Sequence, residues 1–171
     1  GNLFNAFDAL EVWNGYTRGH QLSEFLGERI GIWFNHLNQG LPITGIFDTD
    51  THGFFNTRGG GARSWTASSV DDASGIVSDA AFDDEVGAAV KSGRVVGGQG
   101  VYVQTRLLET DGAGGTTGVT ADLELGGSTL LSVTNNEVLL EIRVQAPLWA
   151  PFDRIEIYRN ATSQCVGQNG G

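Results

Sequence analysis

Apolar and polar positions alternate with two different periods along this chain, and the change of period divides it. Phe7 to Trp13 is a short, largely apolar run closed by Asn14-Gly15, which predicts a buried strand and a turn. Ser23 to Leu37 carries apolar residues at Phe25, Leu26, Ile30, Trp33, Phe34 and Leu37, a single helical stripe, with Ser23 as the expected N-cap. Asn38-Gln39-Gly40 followed by Pro42 stops that helix. Ile43 to Phe47 is a second short apolar run that ends in Asp48-Thr49-Asp50-Thr51-His52-Gly53. A strand, a helix and a strand in this space are the βαβ unit of a parallel sheet or barrel.

After Gly59-Gly60-Gly61, the pattern predicts a helix within Ser78 to Ser92, with Val86, Ala89 and Val90 inward and Gly93 as its C-cap. Strands are expected over Arg94 to Val96 and Val101 to Leu108, joined through Gly97-Gly98-Gln99-Gly100 as a glycine-rich hairpin or bulge. From Asp111 onward the period shortens to two. Val119 to Leu125, Val138 to Gln145 and Arg154 to Tyr158 read as half-buried antiparallel strands, as in a sandwich. The expected class is therefore α+β: a partial α/β segment over residues 1–110, then a β-rich, sandwich-like region over 111–171.

Composition narrows the functions. A formal net charge of -10 leaves no basic cluster to displace counterions from a phosphate backbone, so no nucleic-acid partner is expected. An acidic surface is common to secreted and halotolerant proteins, and charge does not choose between them. No apolar run approaches the length of a membrane span. Cys165 is the single cysteine, so no internal disulfide forms. The chain begins Gly1-Asn2-Leu3 and contains no methionine, which suggests a processed or shortened start.

The stretch with chemical content is Asp48-x-Asp50-x-His52. In an extended chain, residues two apart point to one side, so these three converge at the carboxyl end of a parallel strand, where α/β folds gather their ligands. A carboxylate and an imidazole suit Zn, Mn or Fe. Such a metal lowers the pKa of a bound water toward about 7. The same letters are also ordinary turn chemistry. Two ligands do not complete a catalytic site, which wants three protein ligands and an open position. His36 reads as a core-edge residue of the helix and His20 as part of a polar loop. Calcium on Asp48 and Asp50 is a further option, disfavoured by the nitrogen of His52.

Ser64 and Ser68 lack the His and Asp company of a nucleophile. Gly97-Gly98-Gln99-Gly100 is no dinucleotide fingerprint. Asn160-Ala161-Thr162 matches a glycosylation triplet by pattern only. Trp13, Trp33, Trp65 and Trp149 are expected in the core or at its edge.

Several patches, in order, resemble one family. They are Asp8-Ala-Leu-Glu-Val-Trp-Asn-Gly15, Trp33-Phe-Asn-His-Leu-Asn-Gln-Gly40, Thr44-Gly-Ile-Phe-Asp-Thr-Asp-Thr-His-Gly53, Arg63-Ser-Trp65, Ala88-Ala-Val-Lys-Ser-Gly-Arg-Val-Val96, Val144-Gln-Ala-Pro-Leu-Trp149 and Asp153-Arg-Ile-Glu-Ile-Tyr158. They are similar to the last barrel segments and terminal β region of polymerase-and-histidinol-phosphatase (PHP) metallohydrolases, in the CehA/McbA-like branch. The resemblance implies a distorted α/β barrel with a multi-metal centre that hydrolyses phosphoesters, esters or amides. The family's late Asp-x-His motif falls on Asp50 and His52, with Asp48 as an extra carboxylate. Glu11 matches a recurrent glutamate and is expected to position rather than ligate. Arg63 is expected to hold the site loops, an anionic substrate or a structural salt bridge. The early His-x-His motif and the middle histidines of the family are absent and are expected upstream of Gly1. The isolated chain is then expected to bind metal weakly, to turn over no substrate, and to have its apolar strand edges covered by the missing part or by an oligomer partner. The rival expectation is a non-catalytic β-sandwich module for binding or structure.

Overall fold

In a computed structural model, the structure describes residues 7–14, 20–51, 61–70, 72, 74, 80–123, 126–129 and 137–159. Within these, two helices and seven strands form three small open sheets. The first sheet pairs β1 (Ala9–Asn14) with β2 (Thr44–Asp48) in parallel, and α1 (His20–Asn38) connects them. The βαβ unit that the apolar runs predict is therefore present. Its helix starts at His20, which places Ser23 inside the helix rather than at its cap and puts His20 in the helix rather than a loop.

The helix ends follow from backbone accounting. Gly40 is left-handed (φ 76°), its N–H donates to Leu37 O at 3.0 Å, and Leu41 N–H donates to His36 O at 3.0 Å. The second helix, α2 (Ala80–Lys91), ends the same way at Gly93 (φ 74°), with Gly93 N–H on Val90 O and Arg94 N–H on Ala89 O. Both are Schellman caps, in which only a glycine takes the left-handed position without a Cβ penalty.

β2 is the hub. A Cβ on Gly45 would lie 2.9 Å from the Val12 side chain and 3.1 Å from the Trp33 indole, so the bare backbone lets α1 approach. Trp33 Nε1 donates to Ile43 O at 2.7 Å. From α2, Val90 O accepts the buried Thr44 hydroxyl at 2.5 Å. Among the described residues the buried apolar core is Val12, Ile43, Ala62 and Ala89, gathered around this strand.

The second sheet pairs β3 (Arg63–Thr66) with β4 (Val95–Gly98) antiparallel, Trp65 opposite Val96. It meets β2 through a side chain: the Ser64 hydroxyl accepts from Phe47 N–H and donates to Phe47 O, each at 2.9 Å. The third sheet has the order β6–β5–β7, with β5 (Tyr102–Thr110) between β6 (Thr116–Asp122) and β7 (Val138–Gln145), all antiparallel. This sheet straddles residue 110. The β5–β6 loop is tied by Asp111 Oδ1, which accepts from Ala113 and Gly115 N–H groups at 2.8 and 2.9 Å.

Three expectations change. Gly97-Gly98-Gln99-Gly100 forms no hairpin: Gly97 and Gly98 belong to β4, which pairs with β3, and Gln99-Gly100 leads on to β5, which pairs with β6 and β7. The bend is tight enough that a Cβ on Gly98 would meet Val101 O at 2.6 Å. Arg154 to Tyr158 is not a strand. It lies over the face of the third sheet, bordering a cavity of about 440 Å³ with Val103, Ile142 and Val144, and a segment over a face has no ladder to join. Ile157 is 67% exposed there, while the Tyr158 ring meets Phe34 at 5.4 Å. Trp149 is 68% exposed rather than in the core, since it stands on a turn closed by Ala150 N–H to Pro147 O, its ring over Gly100. No helix among the described residues is long and apolar enough to cross a membrane.

Candidate metal-binding carboxylate site

Glu11 lies in β1, and Asp48 is the last residue of β2. The register explains their meeting. Glu11 pairs with Ile46 and Asn14 with Asp48, but Val12 is an extra residue between Glu11 and Trp13. This bulge shifts the alternation by one position, so Asn14 falls on the side of Glu11. Asn14 Nδ2 donates to Glu11 Oε2 at 3.0 Å, and Arg29 of α1 reaches the same oxygen at 3.6 Å.

Asp50 arrives by a different route from the one strand alternation predicts. β2 stops at Asp48, and Asp50 is left-handed (φ 47°), a conformation that Asp tolerates better than most residues. Its N–H donates to Asp48 Oδ1 at 2.9 Å, an Asx turn. The turn, rather than an extended chain, sets the place of Asp50 relative to Asp48, and the Asp50 charge is felt at the Asp48 carboxyl. His52 lies outside the described residues.

The carboxyl groups of Glu11 and Asp48 interact, and each shifts the ionisation of the other. Loss of hydration raises the Asp48 pKa above the ordinary carboxylate range, helped by hydrogen bonding with Glu11 and by the charges of Glu11 and Asp50. Glu11 moves down, chiefly through the Asn14 amide, then the Asp48 bond and Arg29. A carboxyl whose ionisation is opposed by neighbouring carboxylates is one that a cation would favour, and oxygen donors of this kind suit hard divalent ions. The arrangement is a partial donor set: among the described residues no three His, Cys, Asp or Glu side chains are placed to hold a metal. Among the described residues, the cavities of about 340, 440 and 650 Å³ are lined by residues other than Glu11, Asp48 and Asp50.

Arg63 stands over the Trp65 indole at 5.7 Å from its centroid, in β3. His36 is half-buried in α1, as its place beside the apolar stripe suggests. Ser68 and Ser69 both bind Glu85: their hydroxyls donate to its two oxygens at 3.0 and 2.6 Å, and Ser69 N–H adds a third bond at 2.8 Å. These serines fasten the loop after β3 to α2, at the rim of a 340 Å³ cavity. Asn14 and Arg29 are the site neighbours that sequence reasoning missed. Asn14 carries only a turn signal, and Arg29 only the polar side of a helical stripe.

No protein-family model, curated protein or solved structure matches this chain.

Proposed function

We propose that this chain supplies the Glu11–Asp48–Asp50–His52 side of a metal-dependent hydrolase acting on phosphoester, ester or amide bonds. In this reading β1–α1–β2 is the closing segment of a PHP-type α/β barrel, and the strands after it are a β-rich accessory region. The supporting observation is the interaction of Glu11, within β1, with Asp48, at the carboxyl end of the parallel strand β2, with the Asp50 charge felt by both. Ligand sites of parallel α/β folds collect at that end.

Asp48, Asp50 and His52 would hold the ion, and Zn, Mn or Fe accepts such a mixed set. When bound, the metal supplies an activated water and polarises the scissile group's oxygen. The chain's own residues prepare the place. Asn14 and Arg29 orient Glu11 and favour its ionised form, Glu11 opposes the ionisation of Asp48, and the Asx turn sets the place of Asp50. Carboxylate and imidazole ligands must be deprotonated to bind a metal, so affinity falls as the solution is acidified.

The test is calorimetric titration of zinc and of manganese into this chain, with Asp48→Asn and Asp50→Asn beside it, followed by assays on p-nitrophenyl phosphate and acetate. Weak binding, above micromolar and lost in both variants, with no turnover, is expected. Binding unchanged by both substitutions would remove these carboxylates from any metal site. Tight binding with hydrolysis by this chain alone would refute the reading of a partial site.

A further inference from the structure

The largest of the three cavities, about 650 Å³, opens between the βαβ unit, β4 and β5. It falls in the size range of small-molecule sites, which favour such junctions between structural units. Trp33, Leu37, Ile43, Phe47, Val95 and Val103 supply apolar wall.

The polar groups in this wall are largely spent on the protein itself. The Thr44 hydroxyl is given to Val90 O, that of Thr105 to Leu123 O at 3.1 Å, and that of Ser92 to Ala89 O at 3.1 Å. The Trp33 indole N–H is given to Ile43 O. These hydroxyls and the indole N–H therefore have no donor left for a ligand.

Lys91 is the exception. It is the last residue of α2 and lines the cavity, exposed to solvent. A lysine there ordinarily complements the unsatisfied carbonyls of a helix end. Here Ala89 O and Val90 O already accept from Arg94 N–H, Gly93 N–H, Ser92 and Thr44. Lys91 makes no ion pair among the described residues, so its ammonium is left for the cavity mouth.

We propose that this cleft binds a small amphipathic carboxylate, its apolar body against Trp33, Ile43, Val95 and Val103 and its carboxylate on Lys91. In a protein of net charge -10, an anion is attracted only where a cation is uncommitted, which ties the ligand's acidic end to this lysine. The site needs no metal and stands apart from the carboxylates at the carboxyl end of β2.

Decanoate and decanol, titrated into the full chain at low ionic strength with EDTA present, serve as probes. Decanoate is expected to bind more tightly than decanol. Lys91→Ala should weaken decanoate about fivefold, the scale of a solvent-exposed charge pair, and leave decanol unchanged. Lys91→Arg should restore most of it, and added salt should erode the difference. Val103→Trp, with its circular dichroism checked against the parent, should block both probes. Failure of decanoate to bind, or binding indifferent to Lys91→Ala and Lys91→Arg alike, overturns the proposal. Because EDTA is present throughout, neither result bears on the metal reading.

Discussion

Gly97→Ala tests the packing of the site's supporting strands most sharply. A Cβ at Gly97 would lie 1.8 Å from Phe47 Cδ2 and 2.3 Å from both Cε2 and Cγ. Carbon atoms pack at about 3.5–4.0 Å, so the ring must retreat by roughly 1.5–2 Å. Phe47 is poorly able to do so. Its backbone N–H and C=O are both held by Ser64, and its ring packs on Trp13 at 6.1 Å between centroids. Retreat toward the large cleft trades the clash for lost contact with Trp13. In a strand, replacing Gly with Ala by itself is favourable by roughly 0.5–1 kcal/mol. Overpacking costs about 1–3 kcal/mol, and so severe an overlap belongs at the upper end. The net expectation is a loss of about 2 kcal/mol, or roughly 4–8 °C in Tm for a chain of this size. Urea unfolding followed by circular dichroism should show a lower midpoint at unchanged slope. Phe47→Ala combined with Gly97→Ala should recover most of the increment, because the ring is the obstacle. A neutral or stabilising Gly97→Ala, or a cost that persists without the ring, refutes the argument.

Gly87→Ala should act in the opposite direction, raising stability by about 0.8–1.0 kcal/mol in the same unfolding assay, since it is exposed in α2 with nothing within 4 Å of its Cβ. Thr44→Val should cost about 1 kcal/mol in urea unfolding, because it removes a buried hydroxyl from Val90 O. Asp111 has its pKa lowered by the Ala113 and Gly115 N–H groups, so its stabilisation is present above the unfolded pKa and is lost as pH falls through the folded value. The Tm gap between parent and Asp111→Ala should therefore be open at neutral pH and close in acid. Asp48 has the opposite sign: its raised pKa makes ionisation unfavourable to folding, so the penalty grows as pH rises from the unfolded pKa through the folded one. Asp48→Asn, which keeps the acceptor for Asp50 N–H, should gain stability relative to the parent over that rise, and a Tm difference independent of pH would contradict it.

Local pattern carried much of this protein. The strand and helix periods placed β1, α1, β2, α2 and β7 close to their observed positions, and Gly40 and Gly93 announced both helix ends, because caps and periodicity depend on neighbours a few residues apart. Asp48 and Asp50 were legible as candidates, and Glu11 entered through resemblance. How they meet was not legible. The bulge at Val12 is settled by pairing with β2, some 35 residues away in sequence, and the left-handed turn at Asp50 takes over where that pairing stops, closing on Asp48 instead of extending the strand.

The same division holds at Gly97 and along Arg154 to Tyr158. A run of glycines and an alternating segment each suit a hairpin or a strand, and only the tertiary structure decided that one ends a strand of the second sheet and leads to the third while the other covers a sheet face. Lys91 likewise reads as an ordinary helix-end charge until the Thr44 hydroxyl, distant in the chain, is seen to occupy the carbonyl beside it. Sequence alone determines which conformations a segment prefers. Ladder partners, carbonyl acceptors and ring contacts come from segments far along the chain, and those choose among the preferences.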